Sequence, residues 1–334
     1  MKLFFTLKSI GIFALLLCLS LFAVFPSATW AGGFGLPTNE VGLGFGNLKQ
    51  FSGLRMNFVD KGIQSSQGVN LTFWAHEDNK QALYRGINIG IGGIGGSDLQ
   101  GITLAGLGTR QGNMKGITFG GLGIGAEDMQ GIGLAGLGIG GQNMQGLFLA
   151  GLGLGAQDVQ GVALAGLGLG CENVEGLVFG GLGLGAMDIT GIAIGGLGVG
   201  GHDITGFAFG GLGVGGHDIT GISFGGLGVG GHDITGIAIG GLGVGGHTLK
   251  GLIAGGAIGG ENVKGLALSL GYFKAETMTG LSTGAYTRAT ESTGLTIGIF
   301  NRADVLKGVQ IGLLNYAGNN PSGLQWLPGI NAHF

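Results

Sequence analysis

Four histidines recur at intervals of fifteen residues: His202, His217, His232 and His247. An aspartate follows each of the first three, Asp203, Asp218 and Asp233. Imidazole is a common ligand for zinc and copper, and it changes charge close to neutral pH. If successive fifteen-residue segments lie side by side and face the same way, the rings form a column with about 4.8 Å between members. Such a column of imidazoles beside carboxylates is a candidate metal site. A plainer account is an exposed turn copied by recent duplication. Equivalent positions elsewhere hold Ser97, Gly112, Glu127, Gln142, Gln157, Glu172 and Met187.

Other chemistry is hard to place. The recurring Gly-x-Gly-x-Gly-Gly strings resemble phosphate-binding loops only in composition. They lack a strand-loop-helix setting, and none is followed by Gly-Lys-Ser/Thr. No Ser/His/Asp or Cys/His combination stands alone in the chain. An active site is normally singular, whereas nearly every polar feature here is repeated, so a non-enzymatic protein without a cofactor is expected. The Thr190, Thr205, Thr220 and Thr235 column supplies one threonine per unit over four units, a poor match to an ice-binding face. Cys18 and Cys171 are the only cysteines. Once a leader carrying Cys18 is removed, no internal disulfide is possible.

What must position the histidines is a repeat. Its cleanest copy is GIAIGGLGVGGHDIT, Gly191 to Thr205, and eleven copies run in register from Gly86 to Lys250. Counting from the first Gly, positions 2, 4, 7, 9 and 14 are apolar in nearly every copy, as in Ile192, Ile194, Leu197, Val199 and Ile204. A spacing of two is strand spacing, because side chains alternate faces. Nothing recurs at helical spacing, and each Gly costs a helix about 1 kcal/mol against Ala. Two short strands per unit are expected, broken at positions 5–6 and 10–13, where Gly permits corners. Position 3, often polar as in Asn88, Thr103, Thr118 and Ser223, is expected to point outward. Position 13 is Asp or Asn in every copy but the last, where Thr248 stands. That column suits turn hydrogen bonds and a stacked ladder.

Two architectures can use this unit. One is a parallel β-solenoid with one unit per coil. The alternative is a transmembrane β-barrel with one unit per strand. In a barrel, neighbouring strands point opposite ways, so the natural duplication is a hairpin of about thirty residues, with aromatic girdles and strict alternation. Here GGHDIT recurs in adjacent fifteen-residue units, and Trp and Tyr are absent from all eleven. The all-β parallel solenoid with atypical end caps is therefore expected, a rod of about 70 Å. The terminal Phe334, with Ala332 two before it, is the best argument for the barrel and hence for an outer-membrane pore.

The chain of 334 residues divides into four parts. Residues 1–31 read as a signal peptide: Lys2 and Lys8, an apolar core from Ile10 to Phe25, and a cut after Ala31. Residues 32–85 hold most of the charge of the N-terminal half and read as a cap, since solenoid ends expose edges. Residues 86–250 are the regular array. Residues 251–334 are irregular repeats and a closing cap, in which Trp326 and Pro328 help seal the end. The net charge is −3, and no Lys or Arg occurs between Gly116 and Leu249. That counts against a nucleic-acid groove.

The segments Gly308 to Asn315 (GVQIGLLN) and Asn320 to Phe334, with GVNLTFW near the start, resemble a family of bacterial surface repeat-containing envelope proteins. The resemblance covers both ends and the array. It implies no known activity, only an exported protein at the cell surface, outer membrane or periplasm. The expected role is structural or interactive. The partner is an unknown surface component or a second copy, with outer-membrane association as a further option.

Overall fold

The computed structural model describes residues 32–75, 79 and 81–334. The expected signal peptide lies outside the described residues. The fold is a parallel β-solenoid. Each strand pairs with the equivalent segment of the next coil, like residue on like. Asn143–Ala150 lies parallel to Asp158–Ala165 with Gly146 opposite Gly161, and Asp203–Gly210 lies parallel to Asp218–Gly225 with Gly206 opposite Gly221. This register excludes the barrel alternative, whose neighbouring strands would run antiparallel.

The parallel stack begins well before the regular array. Val41–Gly46 pairs with Gln50–Asp60, which pairs with Ser65–Ala75 and then Leu83–Gly90. Antiparallel strands close both ends. Gly33–Pro37 folds back on Val41–Gly46, and Trp326–His333 folds back on the last coil from Gly308 to Tyr316. Each end is thus covered along one segment by a strand of reversed direction, which interrupts the parallel stacking there.

Corners fall at three places in a regular unit such as Gly191–Thr205. The chain bends at positions 6–7 and 11–12, as at Gly196-Leu197 and Gly201-His202. At position 1 the backbone stays extended but takes a positive φ, from Gly42 through to Gly308. Gly191 has φ +128°, and a Cβ there would sit 2.1 Å from the carbonyl oxygen of Gly176. Only glycine fits that position. The regular coils thus hold two strands each, such as Gly198–Gly200 and Asp203–Gly210, with the two expected breaks between them, and the positive φ inside the longer strand adds a third corner.

The side-chain directions correct one expectation. Position 3 points inward: Asn88, Thr103, Thr118 and Ser223 are all at most 1% exposed. Positions 5, 9 and 14 join it inside, and positions 2, 4 and 7 face out. Ile192 and Leu197 are 41% and 50% exposed, whereas Ala193, Val199 and Ile204 are buried. Alternation specifies that neighbours oppose one another but not which set faces the core. A thin coil has room inside for small residues, so the column of Ala, Ser and Thr lies within it. Where the bulky Phe148 enters this column, its neighbour is Gly133, and a Cβ on Gly133 would meet the Phe148 ring at 2.8 Å.

The position 14 column forms the spine of the core, from Met114 and Met129 through Val159, Ile204 and Ile234 to Leu249. Polar clusters plug the two ends. Near the N-terminus the fully buried Arg55 and Asp60 pair at 2.6 Å, and the Tyr84 hydroxyl donates to the same carboxylate at 2.9 Å. Near the C-terminus Asn301 donates to Asn315 at 2.7 Å, and Asn315 in turn donates to the carbonyls of Leu327 and Gly329 on the closing strand.

Candidate metal centre

The bend at positions 11–12 sets the histidines on an outer corner, and the parallel register stacks them. The His202 and His217 rings lie 4.9 Å apart at 3°, and His217 and His232 lie 4.8 Å apart at 2°. His247 continues the column 4.8 Å from His232. All four rings expected from the sequence are thus brought into one row, and all are substantially exposed.

Every imidazole has a carboxylate at its Nδ1. The distances are 2.9 Å for His202 to Asp203, 3.1 Å for His217 to Asp218 and 3.5 Å for His232 to Asp233. His247 has no following acid, because Thr248 stands there. Its Nδ1 lies 2.8 Å from Glu261 of the next coil instead. Counting by fifteen hides this partner. The coil beginning at Gly251 is one residue short, since Gly265 and not residue 266 carries its successor's positive φ. Glu261 therefore occupies the histidine position of its own coil and closes the row.

The neighbouring column at position 13 explains where the histidines occur. From Asp98 to Asp188 it alternates Asp and Asn. Asn143 donates to Asp128 and Asn173 donates to Asp158, each at 2.6 Å. Alternation spaces the charges and supplies each of these carboxylates with a donor. From Asp188 to Asp233 every member is Asp, so like charges stand on adjacent coils. The histidines begin there. At Asp203 and Asp218 the imidazole Nδ1–H takes over from the asparagine amide. Thr248 and, more weakly, His232 then hold the carboxyl of Asp233 below the usual carboxylate range.

Two groupings gather donor atoms within 4.8 Å of one another: His202, Asp203 and His217, and His217, Asp218 and His232. On the adjacent side of the coil a shallow groove of about 820 Å³ runs past Asn113, Lys115, Asp128, Gln130, Gln145 and Glu175. Its walls are amide ladders, such as Gln145 to Gln160 at 2.8 Å and Gln160 to Glu175 at 2.9 Å. Cys171 sits half-buried at a corner, and burial, with the charge of Asp158, pushes its thiol up to about 11. Comparison with protein-family models, curated proteins and solved structures yields no match to this chain.

Proposed function

We propose that this chain is a non-enzymatic structural and interaction protein, exported to the cell envelope, that pairs with a second copy through an apolar face. The observation that carries the reading is the outward row of large apolar side chains. Position 7 presents an exposed leucine on coil after coil, from Leu107 to Leu242. Positions 2 and 4 add Ile102, Phe119, Ile192 and Phe209 on the neighbouring side. Eleven coils at about 4.8 Å and a width of five residues make a face of about 50 by 17 Å, or roughly 850 Å². A stable pair of proteins buries about 800 Å² on each side, and contiguous apolar surface of this size marks an interaction site.

A second copy suits the face better than a bilayer does. The ridges repeat at one spacing, so two faces interdigitate along their whole length, as packed sheets do. The array carries acids and no Lys or Arg from Gly116 to Leu249, which disfavours anionic headgroups. Export rests on the basic, apolar and small-residue order of residues 1–31 and on the surface-repeat resemblance of both ends.

The test is sedimentation of the purified chain beside Leu197→Gln, Leu212→Gln and Leu227→Gln combined. A wild-type dimer that weakens at least tenfold in the variant supports the reading. A monomer at 100 micromolar order overturns the pairing. Flotation with neutral vesicles, lost in the variant, assigns the face to lipid instead.

A further inference from the structure

We infer that the histidine row is a binding site for divalent transition-metal ions, zinc or copper, held by Nε2 atoms of adjacent coils. An ionised carboxylate only accepts hydrogen bonds, so the ring nitrogen against it is the donor. Asp203 and Asp218 lie 2.9 and 3.1 Å from the Nδ1 atoms of His202 and His217, and Glu261 lies 2.8 Å from that of His247. Asp233 stands further off, at 3.5 Å from His232. This leaves the lone pair on Nε2 in each paired ring. It is the same arrangement by which metal-ligating histidines are oriented and made more basic by an outer carboxylate.

The pairing is more than a by-product of copying GGHDIT. In the last histidine coil the copied acid is missing, and a carboxylate from a different coil and a different sequence context takes its place. The row therefore keeps its outer carboxylate where duplication alone would have lost it.

Geometry sets the stoichiometry. Zinc binds imidazole nitrogen at about 2.0–2.1 Å in a tetrahedral array, which places two ligating nitrogens about 3.3 Å apart. The His202 and His217 rings, 4.9 Å apart at 3°, hold their Nε2 atoms at nearly that spacing, and His232 and His247 stand 4.8 Å apart with their planes tilted by 19°. Each ring of a pair must lean in by less than 1 Å. His202 and His217 are 59% and 50% exposed, so the rings have solvent to move through. Leaning towards one neighbour means leaning away from the other. Four rings thus form two pairs, His202 with His217 and His232 with His247, and take two ions, with water completing each shell.

Isothermal titration of the full chain with zinc chloride tests this, alongside three variants. The expected result is two ions per chain. His217→Gln with His232→Gln removes one ligand from each pair and abolishes both. Asp203→Asn keeps four rings and weakens one ion about 10–100-fold. Long-range nitrogen-15 spectra with zinc show the shift at Nε2 and not Nδ1. No heat from the wild type overturns the inference. So does full binding by the double histidine variant, or competition by calcium, since either places the ions on carboxylates. Circular dichroism of each variant separates loss of ligand from loss of fold, and a monomeric protein that binds two ions retains this inference while losing the pairing face.

Discussion

The side-chain amide of Asn173 reaches across one coil to the carboxylate of Asp158 at 2.6 Å, while two coils further on His202 donates to Asp203, its neighbour in sequence, at 2.9 Å. These are two solutions to one electrostatic difficulty. A parallel register stacks each acid on its counterpart in the next coil. Repulsion is relieved either by making alternate members neutral or by giving each member its own donor.

Asn173→Asp would join Asp158 to the run from Asp188 to Asp233 and put six carboxylates in succession. The expected effect is a loss of about 1 kcal/mol or less, because the column is exposed and screened. Denaturant unfolding at low and high salt checks it: the deficit shrinks as salt rises.

Glycines separate into two classes. Gly191→Ala drives a Cβ to 2.1 Å from the Gly176 carbonyl at a φ of +128°. The expected cost is about 3 kcal/mol or more. Gly200 has nothing within 4 Å of the same added atom. Gly200→Ala is expected to stay within about 0.5 kcal/mol of the parent. Thermal unfolding of the two alanine variants, side by side, distinguishes them.

Arg55 and Asp60 are completely buried. Arg55→Met strands the carboxylate and is expected to cost about 3–5 kcal/mol. Adding Asp60→Leu removes the stranded charge and restores much of the loss. Because coils contact only their neighbours, hydrogen exchange should locate the damage in the first coils and spare the array.

The thiol of Cys171, pushed up to about 11 from 9.0, is expected to alkylate slowly. At pH 8 its thiolate fraction is about a hundredfold below that of an unperturbed cysteine. Iodoacetamide labelling followed by mass spectrometry should show slow reaction in the folded protein and ordinary reaction in urea.

Asp233 has its folded-state pKa lowered, first by the Thr248 hydroxyl and then by His232. A lowered carboxyl stabilises the fold above its unfolded pKa, and that contribution disappears as pH falls through the folded value. Thr248→Val is expected to raise the Asp233 carboxyl towards its ordinary value, read directly from carbon-13 titration of the side chain.

Much of the architecture was legible in the residues. A fifteen-residue period with spacing of two and a glycine at every first position leaves little besides stacked β coils. The recurrence of GGHDIT in adjacent units required those coils to face one way, and hence placed His202 above His217. The partner of His247 was not legible, because a one-residue shortening moves Glu261 out of the count. The Arg55, Asp60 and Tyr84 cluster was not legible either, since its members meet only after two coils have closed over one another.

The chain by itself determined periodicity, strand direction and the identity of each column. Those follow from local rules: alternation along a strand, glycine's tolerance of positive φ, and like residues repeating at one interval. Only the tertiary structure decided which face is inside. Ile192 and Ala193 alternate equally well either way round. The closed three-sided coil settles it: small inward side chains such as Ala193 let its walls approach, and where Phe148 takes that position Gly133 beside it makes the room. That choice turns the large apolar side chains outward and creates the face on which the proposed pairing depends.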